Sequence, residues 1–406
     1  MAYEVSSSVA AGTNYLQLVT NTSGSKSAGG HFSPDGTKLA VPSERINGSG
    51  VDDWGLDIFT SSSLNGWERT EYIDSGFSDV INVFQWRSDS EIIANYTSGL
   101  YSYTSGASGW SSPVKCYSGA VSGVGSLIFS PNGNRFILAE TNSAYFRLFT
   151  TGSTQWDLGT QVNVANRVLS WAWIDNETVM VGIPEGGPSD YSSHGELLVF
   201  QADNAEDISF TQVEQLSGEP GDQLGAAIYY QTSSGNFIVG TDRDRSFTSG
   251  LTDLSSSLFV YNSPGGGTYL PADNTGRTEI TSSTRTFYGH YVAGERNTDS
   301  RAYMLSKNPS GNVNDAEAEL IALESGSAGW KVTKIDGQVR FAVSSNSKYT
   351  SDYPTIISSN GTALVANNSN YTDSAFNVHY VALSTAVDTS LSTTTTSSIG
   401  ASGGLA

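Results

Sequence analysis

Apolar residues in this chain fall in short runs that either alternate with polar ones or stand unbroken for half a dozen positions, never at the three-to-four spacing of an amphipathic helix. Pairs of such runs flank tight clusters of Asp, Asn, Ser and Gly. Six are clear: HFSPDGTKLAVPS (31–43), VFQWRSDSEIIANY (83–96), LIFSPNGNRFILAE (127–140), LSWAWIDNETVMVGI (169–183), AIYYQTSSGNFIVGT (227–241) and TIISSNGTALVANN (355–368). Each reads as a β-hairpin, because the intervening residues tolerate the left-handed backbone that a tight turn requires. Gly36, Gly133, Gly235 and Gly361 are the predicted positive-φ positions.

A third run follows each hairpin: LDIFTS (56–61), GLYSYT (99–104), YFRLFT (145–150), ELLVFQ (196–201), SLFVYN (257–262) and FNVHYVAL (376–383). Several lead to a fourth: GWERTEYI (66–73), GWSSPVKC (109–116), QWDLGTQV (155–162) and ISFTQVEQL (208–216). FYGHYVAG (287–294), RAYMLSK (301–307), AELIALES (318–325) and GWKVTKID (329–336) form a weaker unit, and QVRFAVSS (338–345) has no place in the scheme. The repeat is therefore four-stranded. A lone four-stranded sheet cannot bury both faces, whereas radial stacking buries each face on a neighbour. The expected fold is all-β: a single β-propeller over residues 14–383 of about seven blades, with six or eight left open. NYLQLVT (14–20) precedes the first repeat, and the last repeat lacks a fourth strand, so pairing the two is expected to close the ring. Residues 1–13 read as an arm. Residues 384–406 are Ser-, Thr- and Gly-rich, too poor in apolar residues to pack as a domain, and read as a tail.

Composition agrees. The 406 residues include 43 Gly, 20 Tyr, 16 Phe and 8 Trp, and only 15% are charged, against roughly 25% in an average globular chain. Forty acidic against 20 basic residues give a net charge of −20, which repels phosphate backbones and anionic membranes. No nucleic-acid partner and no membrane insertion are expected. The lone Cys116 excludes an internal disulfide and reads as a quiet strand residue. The opening MAYEVSSSVAAGTNYLQLV has no basic region or apolar run of signal length, which favours a virion or cytoplasmic location. Asn21, Asn95, Asn176 and Asn370 begin glycosylation triplets that matter only in a secretory compartment.

HFSPDGTKLAV, and less closely LIFSPNGNRFILA, resembles the WD-like repeat of TolB-type propellers, whose blades carry an F-S-P-D-G turn between their first two strands. The resemblance implies the fold and says little about activity. SGEPGDQLGAAIYY (217–230) is similar to the cage motif of integrin-type propeller repeats, which often carry a calcium loop. TDRDRS offers Asp242 and Asp244, but the following Gly and the closing Asp are out of place for such a loop, so no cofactor is assigned there.

Catalytic vocabulary is sparse. His31, His194, His290 and His379 have no metal-ligand spacing, and there is no G-x-S-x-G elbow. Gly265, Gly266 and Gly267 lack the Lys and helix of a phosphate loop. SSLNGW (62–67) is only faintly similar to a sialidase Asp-box. Such an enzyme also needs converging arginines, for which Arg87, Arg135, Arg147 and Arg167 are the candidates. Trp67, Trp110, Trp156 and Trp330 recur near the start of fourth strands and read as packing residues before sugar platforms. No catalytic, cofactor or metal residue is assigned. The expected role is a non-enzymatic structural or binding module, a virion assembly component with protein partners reached partly through the tail. The alternatives are a cellular scaffold binding protein or glycan, and a propeller hydrolase. Specificity is expected in the long insertions 46–54, 185–194, 242–256 and 308–316.

Overall fold

The computed structural model describes residues 15–20, 31–46, 52–62, 66–79, 81–117, 124–140, 143–151, 156–185, 194–202, 209–220, 222–232, 234–241, 258–280, 286–294, 301–307, 317–326, 329–335, 341–342, 355–357, 362–368, 376–382, 385–386 and 395–397. Every regular element among them is a β-strand. After β1 (Tyr15–Thr20), the first sheet runs β2 (His31–Phe32), β3 (Lys38–Ile46), β4 (Asp52–Ser62), β5 (Gly66–Phe77). The second holds β6 (Val83–Ser88), β7 (Glu91–Tyr96), β8 (Gly99–Gly106) and β10 (Val114–Tyr117), with the short β9 (Gly109–Trp110) beside β8. The third is β11 (Val124–Phe129), β12 (Arg135–Glu140), β13 (Tyr145–Thr151), β14 (Trp156–Asn163), and the fourth β15 (Ser170–Trp173), β16 (Thr178–Ile183), β17 (Glu196–Gln201), β18 (Thr211–Ser217). The fifth is β19 (Leu224–Tyr230), β20 (Asn236–Thr241), β21 (Leu258–Asn262), β22 (Thr278–Ile280). The sixth is β23 (Thr286–Gly294), β24 (Arg301–Lys307), β25 (Glu317–Gly326), β26 (Gly329–Ile335), with β27 (Phe341–Ala342) paired to β25. The last is β28 (Thr355–Ile357), β29 (Thr362–Asn368), β30 (Phe376–Ala382) and, fourth in the sheet, β1. Tyr15 stands opposite Val381 and Thr20 opposite Phe376, the pairing expected of the opening strand.

All ladders within the sheets are antiparallel, and the second strand of each sheet explains why their sequences read as they do. In β12, Phe136 and Leu138 turn toward the second sheet, joining Ile93, Leu100 and Cys116. Ile137 and Ala139 turn toward the fourth, joining Val179, Val181 and Leu198. In β7, Ile92 and Ala94 meet Leu56 and Ile58 of the first sheet, while Ile93 faces the third. In β20, Phe237 and Val239 pack on the fourth sheet, and Ile238 reaches Ala302 of the sixth. A strand buried on both faces loses its alternation, so EIIANY, RFILAE, TVMVGI and NFIVGT are nearly unbroken apolar runs. Each fully buried Leu, Ile or Phe in these layers contributes roughly 1.5–3 kcal/mol.

The first strands line up side by side: β2 beside β6, β6 beside β11, β15 beside β19, β19 beside β23, β23 beside β28, and β28 beside β2. Gly36, Gly133 and Gly235 have φ of 70°, 70° and 72°, as the hairpins require; Gly361 lies outside the described residues. Two features were not picked out in the sequence. The fifth sheet has a fourth strand, β22, that follows a long polar connector. The tail also does more than trail away: β31 (Thr385–Ala386) pairs with β26, and β32 (Thr395–Ser397) with β22.

Candidate functional site

Antiparallel order gives every sheet two unlike ends. The turns between first and second strands share one end with the third-to-fourth connections. The second-to-third connections and the links to the next sheet emerge at the other.

At the first end, polar side chains are consumed by the fold. Ser33 Oγ donates to Asp35 Oδ1 (2.6 Å), which also accepts from the Thr37 N–H (3.0 Å), while Ser33 Oγ accepts from the Lys38 N–H (2.9 Å). SPNG repeats this with Ser130, Asn132, Asn134 and Arg135. Neighbouring turns are then stitched together: the Asp35 N–H donates to Asp89 Oδ1 (2.8 Å), and the Asn132 N–H to Asn176 Oδ1 (2.9 Å). Burial opposes ionisation of Asp35, but the bonds from Ser33 and Thr37 outweigh it and hold its carboxyl below the ordinary value.

At the other end, the fourth and fifth sheets form a rigid platform. Gly225 (φ 104°) lies against Gly182, where an added Cβ would come within 2.9 Å of the Gly182 Cα and the Ile183 nitrogen. Ser170 Oγ donates to the Gly225 carbonyl (2.7 Å). The Leu224 N–H donates to the His194 carbonyl (3.0 Å), which fastens the 218–224 link to the start of β17. Within that link, Asp222 is 1% exposed and pairs with Arg277, whose guanidinium also approaches Glu219 (3.3 Å) and lies 4.0 Å over the ring of Phe259. Burial works against the Arg277 cation, yet the bond to Asp222 raises its pKa above the ordinary value. Beside it, burial pushes Tyr261 up to about 12, and its hydroxyl donates to Asn274 Oδ1 (2.9 Å). Gln223 holds φ of 50°, the one non-glycine residue in that region among the described residues. One sheet earlier, Arg167 pairs with Glu185 (2.6 Å), and Asn166 Nδ2 donates to the Glu185 carbonyl (2.7 Å). Of this cluster, sequence reasoning singled out Arg167, as a candidate for a substrate carboxylate, and Glu185 only as the start of an insertion; the similarity of 217–230 to a cage motif is the one cue to Asp222 and Gly225.

The insertions expected to carry specificity, 46–54, 185–194, 242–256 and 308–316, all join a second strand to a third and so leave from this same end, but the first is shorter than expected, since Ile46 and Asp52–Trp54 belong to β3 and β4, which pair out to Ile46 opposite Asp52. Their central residues lie outside the described ones, as do Asp242 and Asp244. In the second sheet the equivalent connection is only Thr97 and Ser98.

The candidate arginines do not converge. Arg87 pairs with Glu91 (2.8 Å), donates to the Gly133 carbonyl and lies over Trp156; Arg135, 2% exposed, reaches the Asn176 carbonyl and lies over Phe210. Arg147 lies over Tyr145, and Arg167 is held at the opposite end from Arg87 and Arg135. Trp156 packs on Phe129 and Phe136, and Trp110 sets its edge against Trp86 and donates to Glu71. These two are packing residues; only the backbone of Trp67 and Trp330 is described. His31 edges onto Phe84, and His290 and His379 are described as backbone alone in β23 and β30. Among the described residues, no three of His, Cys, Asp and Glu come together as a metal site. Cys116 is buried, and burial pushes its thiol up to about 12. No helix of the described residues is long and apolar enough to cross a membrane.

No family model and no curated protein matches the chain. Solved structures do. The WD40 domain of Toxoplasma gondii coronin aligns at 10% identity and TM-score 0.50, covering 95% of this chain and 89% of that one. A Bacteroides uniformis protein provisionally named a 6-phosphogluconolactonase aligns at 10% identity and TM-score 0.51, covering 82% and 94%. At such identity the likeness is one of fold, and the fold is that of a β-propeller.

Proposed function

We propose that the chain is a seven-bladed propeller closed by β1 on β30 and that it works as a non-enzymatic recognition scaffold for a protein partner. The seven sheets, the side-by-side first strands and the pairing of Tyr15–Thr20 with the last sheet support the ring. The observation that carries the function is the division of labour between the two ends. One end spends its Asx, Ser and Arg side chains on joining the turns. The other fixes a platform at Gly182, Gly225, Asp222 and Arg277 on the fourth and fifth sheets, and the long connections of the fourth, fifth and sixth blades leave their own sheets at this same end. Rigid sheets presenting long loops at one end are the arrangement by which scaffolds carry binding residues. Assembly into a virion is one setting for such a scaffold and belongs to this reading as a proposal.

Two measurements test it. Removing residues 1–22 tests the ring, with marked loss of thermal stability expected; an unchanged melt overturns the closure. Incubation with lactones and glycosides tests the non-enzymatic reading, with no turnover expected. Turnover that survives purification and is lost on replacing 186–193 and 243–256 by short Gly-Ser linkers overturns it in favour of a hydrolase, the class named for the Bacteroides uniformis neighbour.

A further inference from the structure

The link from the last strand of the fourth sheet to the first strand of the fifth is laid across the ends of β17 and β16. The Gly218 N–H donates to the Gly195 carbonyl (2.9 Å) and the Leu224 N–H to the His194 carbonyl (3.0 Å), while Gly225 meets Gly182 and Ile183. Within this fastened link two irregularities fall on one residue. Gln223 holds φ of 50°, a left-handed conformation that a residue with a Cβ adopts only at a cost. Its side-chain oxygen Oε1 is buried without a hydrogen-bond partner, in a residue 9% exposed. A buried acceptor with no donor is unfavourable, and a strained backbone persists only where its surroundings enforce it. Both chain neighbours are satisfied, Asp222 on Arg277 and Leu224 on His194. The oxygen between them is held in place and unused.

We propose that Gln223 Oε1 is the acceptor for a cationic side chain, lysine or arginine, of a protein partner. The assignment rests on the recognition-scaffold reading and names the partner's chemistry. Charge around the link selects the cation. Glu185, Glu196, Glu219 and Asp222 gather there against only the guanidinium groups of Arg167 and Arg277; Glu196 stands opposite Ile183 and Ser217 in the ladders that the link crosses. In each ion pair that reaches solvent, the arginine is the covered member and the glutamate the open one. The Arg167 side chain is 11% exposed against 30% for Glu185, and Arg277 7% against 58% for Glu219. Solvent therefore meets carboxylate at this point of the loop-bearing end, which draws in ammonium or guanidinium and repels anions. Gln223 supplies the directional contact. Its oxygen accepts a donor without giving up an existing bond, and the broad terminal torsion of the amide lets it turn to an entering N–H. A carboxylate or a carbonyl from a partner would leave that oxygen unpaired, since neither donates a proton.

The test titrates the full chain at low salt with the N-acetyl N-methylamides of lysine, arginine and norleucine, followed by calorimetry. Binding of a cationic probe and not of norleucine is expected, and the tighter of the two cations tells ammonium from guanidinium. Gln223→Met keeps the length of the side chain and removes the oxygen. It is expected to weaken the cationic probe about tenfold or more, the worth of a hydrogen bond to a charged group. Because the lost acceptor had no partner, the same variant is expected to melt no lower than the wild type. A lower melt assigns Oε1 to the fold and overturns the proposal, as does probe binding that Gln223→Met leaves unchanged. Equal binding of norleucine overturns the choice of a cation. Failure of both cationic probes to bind the wild type overturns the site but leaves the scaffold reading standing, because that reading falls on turnover of lactones or glycosides.

Discussion

The indole N–H of Trp86 in the second sheet donates to the carbonyl of His31 in the first, 2.8 Å away. Two sheets on, Trp173 does the same to Ile128 at 3.2 Å. These bonds fall at the same joints as the Asp35-to-Asp89 and Asn132-to-Asn176 bonds. The chain thus joins sheets one and two, and three and four, by one pair of devices. The joint between two and three instead uses Arg87 on the Gly133 carbonyl and the Trp156 ring.

Trp86→Phe keeps most of the buried ring and removes its donor to the His31 carbonyl. The expected loss is about 1–2 kcal/mol, read as a lower urea midpoint at unchanged slope. Trp86→Ala, which also leaves a cavity, is expected to lose about 3–5 kcal/mol.

Gly225→Ala places a methyl at a backbone angle of 104°, against Gly182 and the Ile183 nitrogen. Because backbone stands in the way and cannot rotate aside, a loss of about 2–3 kcal/mol or more is expected. Gly76→Ala (φ 65°) meets no atom within 4 Å and serves as the strain-only control in the same melts.

Arg277→Met strands the carboxylate of Asp222 in a buried site. Removal of one partner of such a pair costs about 3–5 kcal/mol. Asp222→Leu in the same chain is expected to recover part of that loss, and a double-mutant cycle by chemical denaturation measures the coupling.

Asp35→Asn probes the turn end by pH. A carboxyl held below its ordinary value of 3.8 contributes stability that is complete above that value and is lost as pH falls through the lower folded pKa. The difference in melting temperature between wild type and Asp35→Asn is therefore expected to be constant near neutrality and to shrink below about pH 3.8.

Cys116 has a thiol raised from 9.0 to about 12 by burial, so the neutral form prevails at physiological pH. A thiol-specific chromogenic reagent at neutral pH is expected to label it only in denaturant. The stability that this neutral thiol confers is complete below pH 9 and fades as pH climbs toward 12.

The hairpins were legible because their second strands are buried on both faces, which writes a continuous apolar run beside a turn cluster. β22 was not: it is three residues, TEI, after the polar connector 263–277, and its place is set by Leu258–Val260 across the sheet. The tail strands escaped notice for a related reason. An edge strand held by main-chain bonds needs no apolar pattern, and TTS has none. The Arg277–Asp222 pair joins residues far apart in the chain, and neither type announces burial, since each is ordinarily exposed. The arginines offered for a substrate carboxylate were each taken up by an aromatic ring or an acidic side chain.

Since the central strands each serve two seams at once, no interior substitution in them belongs to a single sheet: a methyl lost from Leu138 or Ile238 loosens packing on one side, while its chain neighbour answers to the other. Replacement in a seam therefore costs packing on one side or the other, whereas the connections between strands carry no such double duty and tolerate change more readily.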